Sequence, residues 1–135
     1  MAAQTVGDQG EFGLIEAITS GLPTGGALRL GPGDDCAVFR PEGDVAVSTD
    51  TMVEHVHFRR DWSSAQDVGR KAVASSVADL EAMGARPLVL VMSLALPGET
   101  PTAWVNEFSA GVRAECELSL KHISEPTRRT PISYA

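Results

Sequence analysis

Two short stretches, Gly31-Pro32-Gly33-Asp34-Asp35-Cys36-Ala37 and Ser48-Thr49-Asp50-Thr51, and one isolated carboxylate, Asp79, carry the residue types best suited to chemistry. Two adjacent acids on a Gly-Pro-Gly turn, then a segment with two hydroxyls and a carboxylate, supply hard oxygen donors. Mg²⁺ takes such donors and fills the rest of its shell with water and substrate phosphates. Each piece alone also has a plainer reading. Gly, Pro and Asp suit turns for backbone reasons, Ser-Thr-Asp also ends strands and caps helices, and a single helical Asp is usually solvated. Their conjunction points to a divalent-metal and phosphate site made of Asp35, Ser48, Thr49, Asp50 and Asp79. The chain has no Gly-x-x-x-x-Gly-Lys-Ser/Thr loop, and no kinase-type Gly-rich loop followed by a strand lysine. P-loop and protein-kinase readings are therefore excluded.

The elements that must position these donors follow from periodicity. Phe12, Leu14, Ile15 and Ile18 predict an amphipathic helix over residues 11–20, ended by Gly21 and Pro23. Residues 27–30 and 36–39 read as short strands on either side of the Gly-Pro-Gly turn, and Pro41-Glu42-Gly43-Asp44 as the next turn. Residues 45–53 begin as a β-rich strand and turn polar at their centre, where a purely structural strand has no reason to. His55 and His57, two apart, would share a face of an extended chain.

Ser64 with Asp67 resembles a capping box and opens a helix over residues 65–83, closed by Gly84 and Pro87. Val73, Val77 and Leu80 form its apolar stripe. Asp79 lies on the adjoining stripe with Ala72, Ser75, Ser76, Ala82 and Met83, mostly small residues that allow close approach. Residues 88–96 read as a strand buried on both faces. Thr100 as N-cap and Pro101 in the first turn open a last helix, with Trp104, Val105, Phe108 and Val112 inward and its end near Glu117. The fold class is α+β, a mixed or antiparallel sheet of four or five strands with helices on one face.

A chain of 135 residues that is 43% hydrophobic can bury the core of one domain. A net charge of −7 and seven aromatics with no basic cluster among them argue against a nucleic-acid surface. Cys36 and Cys116 lack zinc-site or disulfide spacing, so reduced thiols in a cytoplasmic protein are expected. The first ten residues have neither the basic leader nor the apolar core of a secretory signal. No apolar run approaches the roughly 20 residues of a membrane helix.

Taken in order, Gly10-Glu11-Phe12, Gly33-Asp34-Asp35-Cys36-Ala37, Ser48-Thr49-Asp50-Thr51-Met52-Val53, His57-Phe58 and Ser76-Val77-Ala78-Asp79-Leu80 with Ala82-Met83-Gly84-Ala85 form a set. That set resembles the N-terminal half of the thiamine-monophosphate kinase family, in the superfamily of aminoimidazole ribonucleotide synthetase and selenophosphate synthetase. The resemblance implies the N-terminal domain fold of that superfamily and dimerisation through the sheets. It also implies ATP-dependent phosphorylation of thiamine monophosphate to thiamine diphosphate by direct transfer. Asp35, Ser48, Thr49, Asp50 and Asp79 would then hold Mg²⁺ bridging the phosphates, and His57 would lie at the thiamine phosphate, with no protein nucleophile. Two other readings stand beside it: a non-catalytic metal and phosphate-binding module, and a sister enzyme with another substrate.

The resemblance covers residues 10–117. The last eighteen residues hold three basic residues against one acid, whereas the preceding 117 hold eight against seventeen. Residues 118–128 resemble the conceptual translation of a transposon-type sequencing adaptor, with Lys121 in place of isoleucine. The expected organisation is therefore an incomplete kinase domain over residues 1–117 and a foreign, disordered tail over 118–135. In the family a further Gly-Gly-Asp segment and a second domain follow, so little or no activity is expected of this chain alone.

Overall fold

The structure is a computed structural model that describes residues 3–22, 26–31 and 36–121. In chain order it contains helix α1 (Val6–Thr19), strands β1 (Leu28–Leu30) and β2 (Val38–Phe39), and helices α2 (Ala65–Ala82) and α3 (Thr102–Lys121). The α+β class is as expected. β1 and β2 pair antiparallel, Leu28 opposite Phe39 and Leu30 opposite Val38, with an irregularity between them. The Arg40 N–H donates to the Ala27 carbonyl at 2.8 Å and extends the pairing by one bond. The expected turn with Asp34 and Asp35 connects these two strands, but residues 32–35 lie outside the described residues. The tail beyond Lys121 does also.

The core sits between α2 and α3. Ala65, Val68 and Val73 of one helix and Val105, Phe108 and Val112 of the other are buried. The stripe on α2 begins a turn earlier than Val73, Val77 and Leu80 suggested, because Val68 rather than Leu80 faces α3. What sets the approach of the helices is a pair of glycines. A Cβ on Gly69 would fall inside contact distance of the Phe108 carbonyl, and one on Gly111 inside that of Gln66. Each helix presses a bare stretch of backbone onto the other there. Helix-interior glycines, which cost about 1 kcal/mol in propensity, are retained here because no side chain fits.

The caps match the sequence in kind. Ser64 Oγ accepts from the Asp67 N–H at 3.1 Å and donates to Asp67 Oδ2 at 2.7 Å. Gly21 and Gly84 take positive φ just past the ends of α1 and α2. α1 starts earlier than expected, on a full capping box between Thr5 and Asp8, and then kinks at Gly10 (φ 74, ψ 167). That conformation is open almost solely to glycine, and the helix predicted from residue 11 is the part beyond the kink. α3 differs at both ends. It begins at Thr102, and the buried Thr100 Oγ1 has no hydrogen-bond partner, so Thr100 is not the side-chain cap. It ends at Lys121, four residues past the predicted stop.

α1 is fastened at its start to the segment that leads into α3 and at its end to α3 itself. Val6 N–H donates to Thr100 O and Gly7 N–H to Gly98 O, both at 2.9 Å. Arg113 Nη1 donates to Ser20 O at 2.9 Å.

The larger sheet expected from sequence is not formed among the described residues. Residues 45–53 and 88–96 carry no strand ladder. Nor is 88–96 buried on both faces: Met92 and Leu94 pack against the helix core, while Leu88, Leu90 and Val91 are exposed. An apolar run alone cannot distinguish one covered face from two. The helices cover one side of residues 88–96 and, of residues 45–53, touch Met52 alone; among the described residues no element covers the rest.

Candidate metal and phosphate site

Ser48, Thr49 and Asp50 lie on the irregular stretch before Met52, and all three are exposed. Oδ1 of Asp50 accepts from the Thr51 N–H at 2.8 Å, a local bond, and the second oxygen has no hydrogen-bond partner among the described residues. Asp79 lies in the C-terminal half of α2, also exposed. Asp35 is outside the described residues. Among those described, no hydrogen bond joins Asp79 to residues 48–50, and no three His, Cys, Asp or Glu side chains group as a metal cluster. With Asp35 aside, the predicted set offers two carboxylates, fewer than such a group requires.

The donor chemistry nevertheless suits a hard cation. Ion pairs among the described residues engage Glu54 and Asp61, and neither Asp50 nor Asp79 takes part in one. Among the described residues neither carboxylate is neutralised by a Lys or Arg, and the hydroxyl-bearing Ser48 and Thr49 directly precede Asp50 in the chain. Exposed oxygen donors without a basic partner can take Mg²⁺ and phosphate together, which is how that ion is usually held.

His57 lies on a turn, not on the extended strand that the spacing of His55 and His57 predicted. Val56 and His57 both donate their N–H groups to Val53 O, at 3.1 and 2.9 Å, and His55 N–H donates to Phe58 O at 2.8 Å. To close that turn His55 takes φ 67, a left-handed conformation that non-glycine residues rarely adopt. Extended residues two apart share a face, but a turn of this kind separates them. The exposed His57 ring accepts at Nδ1 from the Val53 N–H at 3.0 Å, and its carbonyl accepts from Nζ of Lys71 on α2.

Three supporting residues went unnoticed in the sequence. Lys71 is an exposed lysine on α2 that no local pattern links to His57. Glu54 and Arg60, which pair across the turn through Nε (3.0 Å) and Nη2 (2.8 Å) to Oε2, are six residues apart in a non-periodic stretch. No spacing rule connects them. Next to them Arg59 pairs with Asp61 and lies 4.0 Å over the Trp62 ring, and its guanidinium holds the Asp61 carboxyl below its ordinary value.

Elsewhere, a groove between Ala74, Val77, Ala78 and Glu81 of α2 and Glu115 and Leu118 of α3 contains none of the predicted donors. Cys36 is exposed and Cys116 half-buried, both unpaired as expected; burial, helped by Glu115, pushes the Cys116 thiol up. No helix among the described residues is long and apolar enough to cross a membrane.

Comparison with known proteins identifies the family of the chain. The thiamine-monophosphate kinase of Mycobacterium tuberculosis is 45% identical over 112 residues, covering 82% of this chain and 34% of that protein. That of Corynebacterium glutamicum is 40% identical over 116 residues, covering 84% and 34%. That of Bacillus subtilis is 36% identical over 110 residues, covering 80% and 34%. The chain thus spans about a third of the length of the curated relatives it matches. No solved structure matches it significantly. The profile of the AIR synthase related protein family, N-terminal domain, matches residues 33–120, which include Asp35, Ser48, Thr49, Asp50, His57 and Asp79. On that match over well more than half its length, the chain belongs to the AIR synthase related protein family, in its N-terminal domain.

Proposed function

We propose that this chain is the N-terminal part of an ATP-dependent kinase that converts thiamine monophosphate to thiamine diphosphate. The observation that carries the reading is likeness at up to 45% identity to proteins named thiamine-monophosphate kinase, over a stretch in which the exposed Asp50 and Asp79 take part in no ion pair among the described residues. Asp35, Ser48, Thr49, Asp50 and Asp79 are the proposed Mg²⁺ ligands, and His57 the proposed contact to the substrate phosphate. The bound metal would supply charge neutralisation between phosphates. The chain's own part is to hold the two phosphate groups in line and leave direct transfer to the substrates. A cytoplasmic location belongs to the same reading.

At a third of its relatives' length the chain is proposed to bind but not to turn over. Titration calorimetry with MgATP is the test. Mg²⁺-dependent binding that Asp50→Asn weakens tenfold or more, without thiamine diphosphate formation above background, is the expected result; binding indifferent to Mg²⁺ would sink the metal assignment. That result also fits a non-catalytic module, and turnover by a longer chain with this N-terminal part separates the two. A homodimer through the extended segments is part of the proposal, supported by the exposed Val45, Val47, Leu88 and Val91. Sedimentation of a single monomeric species at all concentrations would count against it.

A further inference from the structure

The turn that carries His57 is clamped from outside itself. Its two ends, Met52 and Phe58, pack against the helix core, but the peptide between them is exposed apart from Glu54. Arg60 reaches back to place two N–H groups on Oε2 of Glu54, in a half-buried pair with side-chain exposures of 30% and 27%. The same guanidinium lies 5.3 Å from the ring centroid of Trp104, and Trp104 stacks at 5.6 Å on the buried Phe108. The neck of the turn is thereby tied to α3. An arginine whose plane is stacked and whose fork is engaged loses little further freedom.

This clamp fixes more than backbone. The His57 ring receives the Val53 N–H at Nδ1, so a neutral imidazole must carry its proton on Nε2. Nε2–H is then the one ring donor left for a ligand. We propose that Arg60 is a positioning residue: through Glu54 and Trp104 it holds residues 53–58 so that His57 is fixed as the Nε2–H tautomer, a ready donor to a phosphate-ester oxygen. The inference rests on the reading of His57 as the contact to the substrate phosphate. Fixing a histidine by a bond to its other nitrogen is the usual way tautomer and direction are set together.

The test is ¹⁵N ring spectroscopy of the 135-residue chain at about pH 8.5, where an ordinary histidine is neutral. His57 is expected to show one tautomer, Nδ1 bare and Nε2 protonated. In Arg60→Met, and more mildly in Glu54→Gln, the two nitrogens are expected to move toward exchange-averaged values. A merely structural role would lower the thermal midpoint without changing the ring signal. An unchanged ring in both variants overturns the proposal, as does a tautomer mixture in the unsubstituted chain; if Arg60→Met does not fold, Glu54→Gln decides. A second arm titrates thiamine monophosphate, with affinity expected to fall on the order of tenfold in Arg60→Met, as loss of an orienting partner costs. If His57→Ala binds it as tightly as the unsubstituted chain, the substrate reading of His57 fails, while the ring signal still decides the clamp.

Discussion

Helices α2 and α3 bury Ala65, Val68, Val73, Val105, Phe108 and Val112 between them, whereas residues 42–51 are exposed at every position. The first region holds itself together with backbone pressed against backbone at Gly69 and Gly111. In the second, Ser48, Thr49 and Asp50 face water. The contrast has a physical basis: hydroxyls and carboxylates kept free of partners cannot be taken into an apolar core without a large penalty. A site of uncommitted oxygens therefore belongs on the rim of a domain whose stability comes from elsewhere. His57 is intermediate, exposed itself but fastened to both helices through Lys71, Glu54 and Arg60.

The comparison breaks most readily at the helix crossing. Gly69→Ala or Gly111→Ala is expected to cost about 3 kcal/mol, since the added methyl must push two backbones apart, read as a lowered urea midpoint. A loss under about 1 kcal/mol would mean the helices can separate freely. Truncating a valine in each region sharpens the contrast. Val105→Ala should cost about 2 kcal/mol through its cavity, while the same change at Val47, 81% exposed, should stay within about 0.5 kcal/mol. Equal losses would show that residues 45–53 are packed in solution.

Smaller effects are expected on the turn and at the helix starts. His55→Gly relieves the left-handed backbone and should stabilise the chain by about 0.5–1 kcal/mol, with the His57 ring signal retained. Thr100→Val removes the unpartnered buried hydroxyl and should be neutral or stabilising by up to about 1 kcal/mol. At the exposed start of α1, hydrogen bonds from the Thr5 side chain and backbone hold the Asp8 carboxyl below its ordinary 3.8. A carboxyl lowered on folding contributes stability that is complete above its unfolded pKa and lost as pH falls through the folded one. Acid titration of thermal midpoints should therefore show a small loss below about pH 3.8, reduced in Asp8→Asn.

Helix legibility followed from local chemistry. The Ser64–Asp67 cap, the glycines ending α1 and α2, and the inward Val105, Phe108 and Val112 could all be read because they depend on residues three or four apart. The capping box of Thr5 with Asp8 obeys the same spacing and was missed, since Gly10 interrupts the apolar period just beyond it. Strand reading did worse. The alternation in residues 45–53 and 88–96 says that the chain is extended, but pairing is a property of two segments.

At the site, sequence chose the oxygen donors and His57 by type. The exposure of Ser48, Thr49, Asp50 and Asp79 agrees with donors kept for a ligand, while Asp35 lies outside the described residues. The Glu54–Arg60 clamp had no sequence signal, because its partners are brought together by a turn.

By itself, then, the sequence determined the family, the three helices, the Ser64–Asp67 cap with the glycine ends of α1 and α2, and the residue types able to hold metal and phosphate. All of these arise from composition, order and interactions within a helical turn. Tertiary structure alone decided that Gly69 and Gly111 meet the opposite backbone, that no element among the described residues covers one side of residues 88–96, and that His57 is tethered through Arg60 to Trp104. Those outcomes depend on distances between segments far apart in the chain, which local propensity does not encode.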